Sequence, residues 1–265
     1  MSQVWRPDGT ELVRKSALPG QGSATARARL QHEFSILDGL TVPGVIGVYG
    51  LAATENGLAL ELESFSGRSL SYTLADGPFS IRRSLEVGVA LARIIHDVHR
   101  AGVLHGDIAP SNVLANFDPL DLRLIDFELG RRISSTIEMP ELSVLRGTPG
   151  YCAPEQTGRI DRPITSAVDQ HGFGALLYEL LTGRPPFDGR DVREQIYQTV
   201  ALTPPEPHTL RDDIPKPLSG IVMRLLGKMP EDRYVAMDGV LADLERCLDD
   251  LIIRGEIQPF EPGAA

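Results

Sequence analysis

The stretch that most constrains this chain is VLHGDIAPSNVLANFDPLDLRLIDFELG, residues 103–130, which sets two acids and an amide close together: Asp107, Asn112 five residues later, and Asp126. Apolar residues at Val113, Leu114 and Ala115, and again at Leu122, Leu124 and Ile125, read as two small strands joined by a turn over Asn116–Asp121. Such a hairpin holds Asp107, Asn112 and Asp126 at strand ends, within reach of one another. Hard oxygen ligands of this kind suit Mg²⁺, which takes one or two carboxylates together with substrate phosphates. Phosphoryl transfer needs such ions, and also an acid that orients the attacking hydroxyl. Loop capping would explain any one of the three polar residues, but it does not explain their joint order.

At 265 residues the chain is long enough for one large domain or two packed lobes. A net charge of −10 argues against nucleic acid or an anionic membrane as partner. The two cysteines, Cys152 and Cys247, lie far apart with no metal-spaced His, so a reducing, cytoplasmic compartment is expected. The N-terminal MSQVWRPDGTELVRK lacks the apolar run of a signal peptide, and no apolar run reaches membrane-crossing length.

Taken in order, Val4–Arg6, a turn at residues 7–9 and Glu11–Ser16 read as a hairpin whose second strand carries Lys15. Ala24–Asp38 reads as a helix, apolar at Leu30, Phe34 and Leu37, with Glu33 in its middle and Gly39 past its end. Val45–Leu51 and Leu58–Glu63 are strand-like. The second alternates cleanly, Leu58, Leu60 and Leu62 against Ala59, Glu61 and Glu63. Ser80–Arg100 reads as a long helix bearing His96 and His99, taken as packing or surface residues because no acid or Cys completes a metal site. After the hairpin comes a loop of some thirty residues, 127 to 154, and loops that long within a domain are usually functional. From there the chain reads as helical, first over Ala167–Thr182, with breaks at Pro185–Pro186 and Pro204–Pro205.

The order D-x-x-x-x-N followed by D-F resembles the catalytic and metal-binding loops of the protein-kinase superfamily. Gly147-Thr148-Pro149-Gly150-Tyr151-Cys152-Ala153-Pro154-Glu155 is similar to the end of a kinase activation segment. The resemblance implies an α+β, two-lobed protein-kinase-like fold: an incomplete small antiparallel-sheet lobe over 1–63, a hinge at 64–67 whose backbone meets the adenine edge, a larger helical lobe over 68–255, and a tail over 256–265. It implies ATP and Mg²⁺ as cofactors and a protein Ser or Thr hydroxyl as acceptor. Asp107 would orient that hydroxyl, Asn112 and Asp126 would hold Mg²⁺, and Lys15 would clamp phosphates while Glu33 holds it. Thr148 resembles the residue that marks Ser/Thr rather than Tyr kinases. Asp169 would steady the catalytic loop, and Arg233 would pair with Glu155. Gly158-Arg159, LLYELLTGRPPF and the C-terminal DLERCL…GEIQPF are similar to the kinase domains that head bacterial signalling proteins. Those proteins also carry ATPase and sensor-histidine-kinase modules; here nothing follows Ala265, and the modules are expected to be absent or cut away.

Four features depart from the family pattern. No G-x-G-x-x-G precedes Lys15, so the strand and loop covering the phosphates are expected to be missing. H-R-D is His105-Gly106-Asp107, the usual basic residue two positions on is Ala109, and D-F-G is Asp126-Phe127-Glu128. Without an Arg at 106, a phosphate on Ser134, Ser135, Thr136 or Ser143 is expected to lose its main partner and to change activity little. H-G-D with D-F-E also looks like aminoglycoside and choline phosphotransferases. A small-molecule phosphotransferase and a pseudokinase acting as a regulatory binding module are therefore the alternatives.

Overall fold

The computed structural model describes residues 2–6, 8–16, 23–54, 57–133 and 146–264. Strands β1 (Ser2–Trp5), β2 (Glu11–Ser16), β3 (Val48–Thr54) and β4 (Gly57–Glu63) form an antiparallel sheet in the order β1-β2-β4-β3. Helix α1 (Ser23–Leu37) lies on it, with Leu30, Ile36 and Leu37 buried in one core with Leu60 and Leu62. The alternation expected for β4 is corrected at Glu61. That residue is only 8% exposed, because Arg6 and Arg14 close over its carboxylate at 2.9 and 2.7 Å. Their hydrogen bonds hold the Glu61 carboxyl below the usual carboxylate range.

Residues 64–67 carry the chain from β4 into a second sheet, β5 (Arg68–Ser69), β7 (Val113–Phe117) and β8 (Leu120–Leu124), ordered β5-β7-β8. The β7–β8 turn is tighter than expected: Asn116 still pairs with Asp121 and Phe117 with Leu120. The Asn116 side chain accepts the Asp118 N–H at 3.1 Å, so a local Asx turn reverses the chain within two residues. The strand expected from Val45 begins only at Val48. Val45 instead bridges Leu124 in parallel, while the Leu124 N–H donates to the Gly44 carbonyl at 2.7 Å. Gly44 has φ +85°, and a β-carbon there would come within 2.5 Å of Ile94, so only glycine lets this loop reach β8. The loop after α1 is thereby tied to the strand that leads into Asp126.

Helix α2 (Leu70–Leu74) is followed by α3 (Ile81–Arg100), which starts where Ser80 accepts the Arg83 N–H at 3.2 Å. Leu91, Ala92, Ile95 and Val98 repeat at helical spacing and are buried. Beyond it lie β6 (Val103–Leu104) and its partner β9 (Arg131–Arg132). Helix α4 (Ala167–Thr182) occupies the expected span and is buried along nearly its whole length, ending at Gly183 with φ +79°. Helices α5 (Val192–Ala201), α6 (Pro207–Leu210), α7 (Lys216–Leu225) and α8 (Met237–Arg254) complete the larger layer. The tail folds back on it: Gly263 N–H donates to Asp243 at 2.7 Å and Arg224 to the Pro262 carbonyl at 2.7 Å. No described helix is long and apolar enough to cross a membrane.

Candidate active site

Asp107 sits in the loop between β6 and β7, and Asn112 ends the 3₁₀ turn Pro110–Asn112 just before β7. The Asn112 amide nitrogen donates to both the backbone carbonyl and the carboxylate of Asp107, each at 2.9 Å. This pair of bonds closes the five-residue loop and accounts for the spacing. From the other side, Thr148 donates its N–H to Asp107 Oδ1 at 2.7 Å and its hydroxyl to Oδ2 at 3.0 Å. Asp107 is therefore held from two elements that lie 41 residues apart in sequence.

The loop backbone hangs on Asp169, in the first turn of α4, whose carboxylate accepts the N–H groups of His105 at 2.8 Å and Gly106 at 2.7 Å. His99 adds a third bond, from Nε2 at 2.8 Å. Burial pushes the Asp169 carboxyl upward, yet the bonds from His99 and the backbone outweigh it and hold the carboxyl below its ordinary value. The absence of an acid near His99 and His96 is thus corrected: Asp169 meets the first, and Asp97 and Asp238 meet the second at 3.0 and 3.1 Å. Among the described residues, the side chains grouped closely enough to face one cation are Glu33, Asp126 and Glu128, and neither histidine is among them. His105 accepts the Asp107 N–H at Nδ1 and donates from Nε2 to the Ile125 carbonyl at 2.9 Å. It thereby couples the Asp107 loop to the residue before Asp126.

Gly106 explains one departure from the family pattern. Its φ is +80°, and a β-carbon there would lie 2.8 Å from the Leu129 carbonyl oxygen. Gln156 binds the carbonyl of the same residue at 2.7 Å. Gly106→Arg, which restores the family residue, is expected to lower unfolding stability by about 1–3 kcal/mol and to reduce transfer rather than raise it. Urea denaturation measures this; a variant as stable as the parent would show that the loop has another conformation. The loss of Arg at 106 does not strip this side of positive charge. A cavity of about 720 Å³ beside Gly106 is lined by His32, Arg131, Arg132 and Arg146 together with the acid Glu128. Ser134, Ser135, Thr136 and Ser143 lie outside the described residues.

The second group centres on Lys15. Its ammonium meets Glu33 Oε2 at 2.8 Å, Asp126 Oδ1 at 2.9 Å and Glu128 Oε1 at 3.0 Å. Burial works against the Lys15 charge, but the carboxylates of Glu33 and Asp126 outweigh it and raise its pKa. Burial raises Glu33, whose side chain is fully enclosed, while Lys15 pulls the other way. α1 is held toward the site by His32, whose Nε2 donates to the Gly130 carbonyl at 2.8 Å. Asp126 has φ +68°, a strained setting for a residue with a side chain and one found mostly at functional sites. Phe127 is buried against the edge of the His105 ring. Oxygens of Asp126, Glu128 and Glu33 lie within 4.8 Å of one another, and carboxylates of this kind suit a hard cation such as Mg²⁺.

Glu155 lies apart from both groups. It is buried with Arg233 in a bidentate pair at 2.7 and 2.9 Å, and Arg233 also donates to the carbonyls of Ala167 and Gly227. Glu128, Gln156 and His32 were not assigned partners by sequence reasoning. The extra carboxylate at 128 was the sole visible signal.

Compared with known proteins, residues 4–243 match the protein kinase domain model. The chain belongs to the protein kinase domain family. Relatives of the kinase include the probable serine/threonine-protein kinase SCO3848 of Streptomyces coelicolor, 30% identical over 260 residues, covering 94% of this chain and 38% of the relative. Serine/threonine-protein kinase PkaA of the same organism is 35% identical over 208 residues, 77% of this chain and 37% of its own. PknB of Mycolicibacterium smegmatis is 29% identical over 226 residues, 82% and 35%. The chain thus spans a little over a third of the length of these relatives.

Proposed function

We propose that this kinase domain transfers the γ-phosphoryl group of ATP to a Ser or Thr hydroxyl of a protein. The observation that carries this reading is the bond between Asp107 and Thr148, which joins the acid to the segment ending in Ala153-Pro154-Glu155. Asp107 orients the acceptor hydroxyl and takes up its proton, its carboxylate held in place by Asn112 and Thr148. Lys15, fixed by Glu33, positions the phosphates, and Asn112 and Asp126 hold Mg²⁺. When bound, the metal offsets phosphate charge during transfer. Residues 1–63 form the smaller lobe, 64–67 the hinge that meets adenine, 68–255 the larger lobe and 256–265 a tail. A cytoplasmic location fits two buried, unbridged cysteines. Association with ATPase and histidine-kinase modules rests on the sequence resemblance alone, at Gly158-Arg159, LLYELLTGRPPF and the C-terminal DLERCL and GEIQPF.

A regulatory binding module is the second reading, and one observation favours it: Lys15 already donates to Glu33 and Asp126, and the Glu128 carboxylate stands 3.0 Å from the same ammonium, where a phosphate would approach. Calorimetry decides between them at the first step. Mg-ATP is expected to bind, and Asp126→Asn to remove the metal-dependent part of that binding. No ATP binding with or without Mg²⁺ would leave only the regulatory reading.

A further inference from the structure

The Lys15 ammonium sits where three carboxylates converge, at 2.8, 2.9 and 3.0 Å from Glu33, Asp126 and Glu128. One positive charge faces three carboxyl groups, and since burial pushes Glu33 up to about 7, Asp126 and Glu128 carry the negative charge that Lys15 does not fully offset. Ligand oxygens of the three acids lie within 4.8 Å of one another, close enough to face a single cation. Glu33 is fully buried, and its second oxygen, Oε1, accepts no hydrogen bond, so the group has more acceptors than Lys15 can satisfy. Glu128 and Asp126 are both partly exposed, with 30% and 32% of their side chains open to solvent, whereas Glu33 is enclosed. Glu128 stands two residues after Asp126, where D-F-G would place a glycine with no ligand to offer.

We propose that Glu128 is a divalent-cation ligand beside Asp126, and that it leaves Lys15 to become one when nucleotide binds. This rests on the ATP reading above. A dication between Asp126 and Glu128 offsets their negative charge, and it draws Glu128 away from the Lys15 ammonium. The space left beside the ammonium is then open to phosphate. Metal uptake and release of the phosphate clamp become one event, in which Glu128 exchanges one cation for another. Glu33 and Asp126 accept hydrogen bonds from the Lys15 ammonium whereas Glu128 is held by charge alone, so Glu128 is the carboxylate that this exchange releases.

The test titrates Mg²⁺ into the chain saturated with ADP, by calorimetry, for the parent, Glu128→Gln and Glu128→Asp. Bound Mn²⁺ followed by electron paramagnetic resonance gives an independent readout. Glu128→Gln is expected to weaken the cation about tenfold or more, since charge count among the ligands sets affinity. Glu128→Asp, charged but shorter, is expected to fall between the two. ADP without metal is expected to bind Glu128→Gln more tightly, because a negative charge is removed from beside Lys15. Cation affinity unchanged in Glu128→Gln, with ADP still bound, overturns this proposal alone. Absence of ADP binding to the parent, with and without metal, overturns it together with the nucleotide reading.

Discussion

Asp107→Asn is expected to lower phosphoryl transfer about a hundredfold or more, the usual consequence of losing a positioned acid–base group. Nucleotide affinity should be almost unchanged, because Asp107 is bonded to Asn112 and Thr148 and not to Lys15. The substitution keeps the shape of the side chain but replaces one carboxylate oxygen by an NH₂. Asn112 Nδ2 and Thr148 N both donate, so that NH₂ opposes a donor on whichever side it falls. One lost hydrogen bond of this kind costs about 1 kcal/mol, which is too little to unfold the domain and too little to explain a hundredfold loss. Thermal denaturation run beside the transfer assay separates the two effects. Transfer that survives in a folded Asp107→Asn protein would mean that another acid orients the hydroxyl.

The largest effect on stability is expected from Arg233→Met, about 3–5 kcal/mol, because the substitution leaves the buried Glu155 carboxylate without its partner. Both side chains are fully buried, and Arg233 also ties Ala167, Gly227 and Lys228 through their carbonyls. Those carbonyls lose a donor in the same step. The double variant Glu155→Gln with Arg233→Met should recover part of the loss, since the stranded charge is gone while the missing donors are not. Chemical denaturation of the four proteins in this cycle measures the coupling. A cost below about 1 kcal/mol for Arg233→Met would show that water reaches Glu155 and that the pair is not sealed.

How much of this was legible in the sequence depends on distance along the chain. The Asp107–Asn112 bond spans five residues, and its spacing alone marks it. The α4 helix was legible end to end because Leu176, Leu177, Leu180 and Leu181 mark it for burial and a glycine stops it. Lys15 and Asp126 stand 111 residues apart, and their meeting could be inferred only from resemblance to a family. Glu128 stood out as a misfit in D-F-E, but its reach to Lys15 depends on how β2 and the segment after β8 face each other. Glu61 was misjudged because alternation assigns a face but not what covers it, and two arginines from β2 and the turn before it do so. Gly106 is the reverse case. The sequence showed an Arg missing; the backbone shows why none fits there.

The most direct test of the central claim is transfer from γ-labelled ATP with Mg²⁺, offered to a generic basic protein, to the chain itself, and to an aminoglycoside and choline. Phosphoamino-acid analysis then identifies the acceptor. The expected result is label on Ser or Thr of protein, none on the small molecules, and loss of that label in Asp107→Asn. Label on a small molecule alone, or no transfer at all while Mg-ATP is bound, would contradict it.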